Sequence, residues 1–420
     1  MLPKIVTTLQ TYTWALFRSD LMAGFTVAMV AVPLSLAIAI ASGVGPEQGL
    51  VTAIIGGLFI SLLGGSRVQI GGPTGAFIVV VYGVIAEHGY EGLVLATLMA
   101  GGIMLIAGYL KIGNLISYVP EAVVNGFTIG IGIIIATSQI KDILGLQMGK
   151  VPADFLDKVP ALWAALDSFN TSALMTGVAT MVLIVVLRRA APKYPGLIVA
   201  VAITSAVVVF ARLPVDTIAS RFGELPHHLP MPRLPAITWD KVSELFPSAI
   251  VIAFLAGIES LLSAMVADRM IGGAHRPNAE VVAQGVANVA SSLFGGMPAT
   301  GAIARTATNV RAGGRTPVAG VVHALVILIL MLFFANVAGY LAMPAMAALL
   351  VLTAWNMTEP HKWRDHLNAR HSDKIMLLTT LILTVLVDLT TAIGVGVSMG
   401  LAMRLRRRKT GPAKWSDPER

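Results

Sequence analysis

Two ionisable side chains stand where a hydrophobic chain has least use for them. Glu259 falls near the middle of the apolar run 248–268, and Arg305 falls inside the short apolar run 301–310. A charge at bilayer depth is expensive, so each is a candidate for function. A carboxylate in such a place is suited to exchanging a proton near neutral pH, which makes Glu259 the expected proton-coupling residue. A structural carboxylate satisfied by Ser260, a backbone N–H or Arg305 is the competing reading. Arg305 has three candidate roles: attracting an anion, balancing Glu259, or snorkelling to the membrane surface.

Around these charges lie two matching segments. One reads Gly71-Gly72-Pro73-Thr74-Gly75-Ala76-Phe77, the other Gly295-Gly296-Met297-Pro298-Ala299-Thr300-Gly301-Ala302-Ile303. Proline interrupts a helix and starts the next one well, because it has no N–H to donate. Glycine lets backbone approach a ligand closely. Two short helices starting at these breaks would aim free N–H groups and positive dipole ends at one cavity, which favours an anion. The candidate donors are the Thr74 and Thr300 hydroxyls and the backbone of Gly75, Phe77, Gly301 and Ala302. Ser260 and Ser263 are weaker candidates, since serine bonds back to its own helix.

The elements that must position these groups follow from composition. The chain has 420 residues, 56% hydrophobic and 12% charged, with no cysteine. Too few charges remain to cover a water-facing surface, so the class is all-α integral membrane. Absence of cysteine excludes disulfides and thiolate metal sites. About fourteen apolar runs are expected, near 21–42, 48–64, 74–86, 92–110, 116–140, 172–188, 195–212, 248–268, 279–294, 301–310, 317–335, 337–354, 374–388 and 391–404. Seven runs separate the two matching segments in register, an odd number, so the second copy runs the opposite way. That is the mark of a 7+7 inverted-topology repeat with half-helices at runs three and ten. The expected division is a cytosolic segment 1–20, a first repeat 21–212, a connection 213–247, a second repeat 248–404 and a basic tail 405–420.

Fourteen spans put Arg18, Arg67, Lys111, Arg188, Arg189, Arg269, Arg276, Arg311 and the run Arg404–Lys409 on one side. The positive-inside rule then expects both termini in the cytoplasm and a location in the inner (plasma) membrane. The net charge of +8 belongs to this asymmetry and not to nucleic acid. Leu21–Ser42 is too long and lacks a cleavage site, so it counts as a span and not a signal peptide. Asn125, Gln284, Asn288 and Asn309 are expected to hydrogen-bond between helices, and Asp388 and His323 to be interfacial. No P-loop, catalytic triad or metal-ligand spacing stands out, so neither an enzyme, a cofactor nor a metal is expected.

The residues resemble the sulfate permease (SulP, solute carrier 26) family of anion transporters over roughly 15–405. The resemblance rests on Asp20-Leu21-Met22-Ala23-Gly24 with Val32-Pro33, on Gly64-Gly65-Ser66-Arg67 leading into Gly72-Pro73-Thr74-Gly75, and on Glu259-Ser260-Leu261-Leu262. Ala267-Asp268, Asn278, Glu280, Gln284-Gly285, Asn288 and Arg305-Thr306-Ala307 with Asn309 complete it. It implies a core domain (runs 1–4 and 8–11) moving against a gate domain (runs 5–7 and 12–14). It implies a substrate site at Pro33–Ile38, which includes Leu34 and Ile38, at Thr74–Phe77 with Ala76, at Glu259–Ser263, and at Thr300–Arg305 with Ile303 and Ala304. It also implies a homodimer. Many members end in a STAS domain, whereas this chain stops at Arg420, so that domain is expected to be missing or removed. Ile303 offers no oxygen to a cation, which disfavours sodium coupling. The pattern looks closer to members that carry dicarboxylates with protons. The expected function is therefore secondary active transport of small anions, first a proton-coupled dicarboxylate symport, with sulfate or bicarbonate transport or an uncoupled anion channel or exchanger as alternatives.

Overall fold

The computed structural model describes residues 2–113, 120–149, 151–191, 195–387 and 389–406. Each expected apolar run falls on a helix, with edges shifted by a few residues. The first half holds α1 (Trp14–Ala41), α2 (Pro46–Leu63), α3 (Phe77–Tyr109), α4 (Glu121–Ser138), α5 (Thr171–Ala190) and α6 (Gly196–Phe210). The second holds α7 (Trp239–Ile271), α8 (Pro277–Leu293), α9 (Ile303–Arg311), α10 (Val318–Gly339), α11 (Met343–Met357), α12 (His371–Leu386) and α13 (Leu389–Arg406). Runs three and four share α3, which breaks at Gly89 with φ 68°. Only glycine takes that conformation at no steric cost, so the half-helix can end there and the next span begin without a loop.

Local chemistry sets the other ends. Thr13 caps α1 by accepting the Leu16 N–H at 3.3 Å, and Thr238 caps α7 through the Lys241 N–H. Prolines occupy the first turn of α2, α8 and α11, where a missing N–H costs nothing. Within α2 the turn Thr52–Gly56 widens to π-helical geometry and is wholly buried. Among the described residues, seven helices are long and apolar enough to cross a membrane alone: α1, α2, α3, α5, α7, α10 and the stretch Glu121–Leu144. The short α9 is a half-helix of nine residues.

Between α2 and α3 and between α8 and α9 the chain is extended. There β1 (Gly71–Gly72) pairs antiparallel with β2 (Thr300–Gly301), Gly71 opposite Gly301 and Gly72 opposite Thr300. The two matching segments therefore meet in opposed directions, as an inverted repeat requires. Non-helical backbone at this depth must be satisfied by protein, and it is. The Asn288 side chain takes both the N–H and the C=O of Ala299, at 2.9 and 2.8 Å. Thr52 and Ser291 hold Met297. Asn309 holds the Val68 carbonyl, and Thr306 the Ile70 N–H. The intramembrane Asn288 and Asn309 are thus interhelical partners as expected, though their targets are broken backbone segments instead of other side chains.

Packing is heaviest within two groups. α1, α2, α3, α7, α8, α9 and α10 form one; α4, α5, α6, α11, α12 and α13 form the other. The N-terminal segment lies at the same end of the molecule as the C-terminal end of α7. There the Lys4 N–H donates to the Gly64 carbonyl and Arg276 donates to the Leu2 carbonyl.

Candidate functional site

A cavity of about 190 Å³ lies on the seam between the two helix groups. α1 contributes Leu34 and Ile38, the first broken segment Thr74, Gly75 and Ala76, α7 Glu259, and the second broken segment Gly301, Ala302, Ile303, Ala304 and Arg305. α4, α11 and the segment after α11 close the far wall with Phe127, Thr353 and Lys362. The cavity runs toward Arg269 and Glu121, the end that carries the N-terminus. A Cβ on Gly75 would stand 3.3 Å from the Met357 sulfur, so the first half-helix starts almost against the second helix group.

Glu259 is partly buried, and the Thr74 hydroxyl donates to its Oε2 at 2.6 Å. The partner foreseen for Glu259, Ser260, is engaged elsewhere. Its hydroxyl donates to Glu280 Oε1 at 2.9 Å and accepts from Gln69 and Gln284. Glu280 also accepts the N–H groups of Gly65 and Ser66. This fully buried carboxylate, and not Ser260, is the hub that ties α7, α8 and the end of α2 together. The sequence held a signal for it: an acid seven residues past Gly273, in a chain with few acids.

Arg305 is 1% exposed, which rules out snorkelling. Nη2 donates to Ser35 Oγ at 3.1 Å and to the Pro73 carbonyl at 3.0 Å. Nε and Nη1 have no hydrogen-bond partner. A Cβ on Gly72, which adopts φ 152°, would stand 2.2 Å from Nη1. Gly72 is therefore a glycine twice over, for its backbone and for the room the guanidinium needs.

Several expected donors are corrected by the hydrogen bonding. The Phe77 N–H is spent on the Thr74 carbonyl at 3.2 Å and the Ala302 N–H on the Ile70 carbonyl at 2.9 Å. Gly301, by contrast, stands opposite Gly71 at a non-hydrogen-bonded position of the β1–β2 ladder, flanked by the Ala302–Ile70 bond, so the pairing does not spend its backbone groups. The Thr300 hydroxyl donates to the Ala256 carbonyl, and the Ser263 hydroxyl to Thr306. Phe77, Ser260, Ser263 and Thr300 thus build the walls and do not face the cavity. The two half-helices are also unequal. α3 begins in a tight turn that satisfies the Phe77 and Ile78 amides and leaves those of Val79 and Val80 without a backbone acceptor, whereas at α9 the first three amides, of Ile303, Ala304 and Arg305, find none among the described residues. Those three amides are the donors that sequence reasoning missed, because the tight turn at one start and not the other depends on tertiary contacts.

His323, expected at the interface, is fully buried in α10 with neither ring nitrogen bonded. Small neighbours at Gly57 and Gly320 admit the ring and its helix close to α2. Asn125 lines the cavity. Asp388 and residues 407–420 lie outside the described residues, which leaves the tail 405–420 and most of the basic run without a structural account. No cluster able to hold a metal ion occurs among the described residues.

The comparisons with known proteins agree with this architecture. The sulfate permease family model matches residues 17–383. YvdB of Bacillus subtilis, which bears the name of a sulfate transporter, is 45% identical over 397 residues, covering 94% of this chain and 75% of its own. The bicarbonate transporter BicA of Picosynechococcus is 30% identical over 400 residues, covering 93% of this chain and 70% of its own. Among solved structures, the transmembrane domain of a cyanobacterial BicA superposes with a TM-score of 0.82 at 30% identity, covering 91% of this chain and 99% of that one. Murine solute carrier 26 member A9 superposes at 0.86 with 18% identity, covering 97% and 72%, a likeness of fold alone. This multi-pass membrane protein belongs to the sulfate permease family.

Proposed function

We propose that the chain is a secondary transporter of small oxyanions, of which sulfate and bicarbonate are the first candidates, working by alternating access with Glu259 as the proton carrier. The observation that carries the reading is a buried guanidinium with two unspent nitrogens beside three unspent amides of α9. Unpaired buried cations are costly, and an anion between Arg305 and the start of α9 would satisfy both at once. The names of the relatives support the oxyanion class. No compared name supports a dicarboxylate, which stays an outcome of the test. Glu259 shares the cavity with Arg305, so its protonation and anion binding are placed to help each other electrostatically. The first helix group would carry the site and move against the second. The cavity's opening at the end of the N-terminus would then be the cytoplasmic one, and the membrane the bacterial plasma membrane.

The test is uptake of labelled sulfate, bicarbonate and fumarate into proteoliposomes with an imposed proton gradient. Sulfate or bicarbonate should accumulate against its gradient in the parent protein. Glu259→Gln should abolish the gradient-driven accumulation while keeping exchange of anion for anion. If accumulation survives the substitution unchanged, Glu259 is not the proton carrier. If none of the anions moves, the transport reading itself fails.

A further inference from the structure

A second cavity, of about 330 Å³, lies at the opposite end of the same seam. α1 contributes Ile40 to it and Ile38 to the central cavity; α3 contributes Ile78, and Ala76 just before it faces the centre. On α4, Phe127 faces the centre and Ile134 and Ser138 the second space. The two cavities are thus consecutive along one path, separated by about half a turn on α1 and at the start of α3 and by more than a turn on α4. Within the second cavity a bond crosses the seam, in which the Tyr82 hydroxyl of α3 donates to the Val151 carbonyl.

The second cavity carries a buried charge that no salt bridge among the described residues pairs. Lys158 sits on the short helix Phe155–Ala164, outside the membrane spans, and is 3% exposed. Its ammonium donates to a neutral hydroxyl, Ser138 Oγ, at 2.9 Å. That hydroxyl is already bonded to the Ile134 carbonyl. The other basic residues there are spent. Lys141 donates to the Met148 and Gly149 carbonyls. Arg221 pairs with Asp142 at 2.6 Å and Asp216 at 3.1 Å. The acid that lines the cavity, Asp142, is thereby taken. Lys158 is left as a buried cation with one neutral hydrogen-bond partner, the exposed Asp154 as the acid that acts on it, and free donors beside open space, and such a group is normally paired or absent.

We propose that this outer cavity is a second anion site, at which Lys158, positioned by Ser138, holds a small oxyanion on its way to or from the central cavity. The inference rests on the oxyanion reading above. Its chemistry asks for a compact anion with two or more oxygens, one for the ammonium and another for the Gln139 side-chain amide on the same rim, while Ser138, whose hydrogen goes to the Ile134 carbonyl, only positions the ammonium. An ammonium is a compact point charge, which selects for charge density more than for planar shape.

The two ends of the path give the test its sidedness. Sulfate transport is measured in right-side-out and inverted vesicles from the same expressing cells. Lys158→Gln should raise the half-saturating sulfate concentration about tenfold from the outer face, the loss of one charge-assisted bond, and less than about twofold from the inner face. Lys158→Arg should keep most of the outer-face affinity. An equal change on both faces, or none on the outer face, overturns the proposal. So does a variant that only loses thermal stability with its half-saturation unchanged, since Lys158 would then merely pin the loop.

A binding arm separates this site from the transport reading. In the purified protein, sulfate at constant ionic strength should slow acetylation of Lys158 by acetic anhydride, read by mass spectrometry, and should do so equally in Glu259→Gln. Protection without transport would sink the transport reading and leave the outer site standing. Transport without protection would sink the outer site alone.

Discussion

Arg305 spends one nitrogen on holding the fold and keeps two in reserve. Nη2 binds Ser35 and the Pro73 carbonyl, so the side chain joins α1 to the first broken segment, while Nε and Nη1 are left without partners. A purely structural arginine would be expected to use its whole fork, because a buried charged donor left unpaired carries a desolvation penalty. Arg305→Gln should therefore raise the half-saturating anion concentration more than about tenfold and leave the midpoint of thermal unfolding in detergent level or slightly higher. A collapse of that midpoint with unchanged half-saturation would mark Arg305 as a strut. At this scale the sequence was readable where charge met hydrophobicity: Glu259 and Arg305 both line the cavity. It was unreadable for hydroxyls. Ser260, Ser263 and Thr300 look like site residues in the chain, yet each is spent on a buried neighbour distant in sequence. A hydroxyl takes whatever acceptor the tertiary fold offers, and no local pattern names it.

The half-helices depend on what holds the backbone before them. Asn288 alone satisfies both polar groups of Ala299, just ahead of β2. Asn288→Leu fits the apolar surroundings but leaves an N–H and a C=O buried without partners. The expected loss is about 1–3 kcal/mol for each orphaned group, a large part of the stability of an ordinary domain. Thermal or denaturant unfolding in detergent would read it. If the variant melts like the parent, Ala299 is not held by this side chain. Helix positions were legible from length and hydropathy because a bilayer allows few alternatives to a helix. The odd count of spans led to the expectation of opposed segments, and the antiparallel pairing of β1 with β2 fits it. The asymmetry between α3 and α9 was not. Two similar segments differ in their first turn because Thr74 and Gly75 close a tight turn before Phe77 and Ile78, whereas Thr300 and Gly301 are drawn into the strand pairing. That pairing leaves the very first amide of α9 free where the turn engages that of α3.

Across the whole molecule, the two cavities lie at opposite ends of one seam, and the chain's lack of cysteine makes their sidedness measurable. Thr11→Cys and Asp167→Cys place single thiols at exposed positions near the two ends. In intact cells a membrane-impermeant maleimide should label the second and not the first, and the pattern should reverse in inverted membranes. Labelling of both in intact cells would mean that the N-terminal segment does not lie on the cytoplasmic face. The second cavity also carries a pH signature. Burial pushes the Lys158 ammonium down from 10.5 to about 8, with Asp154 opposing the shift. Lys141, Asp142 and Arg221 face the same cavity, so the effect is read as a difference from Lys158→Met, in which their contributions remain. Below about pH 8 the ammonium is charged in the folded and the unfolded chain, and the full burial cost weighs on the fold. Between about 8 and 10.5 the folded protein has released the proton while the unfolded chain still holds it. The unfolded state then binds more protons, so stability must rise with pH. The parent protein should therefore gain on Lys158→Met across that window and run parallel to it below. A flat difference would mean that the amine is hydrated at every pH. Saturating sulfate should move the rise to higher pH, because an anion bound at Lys158 favours its charged form. The same titration thus tests the buried charge and its ligand.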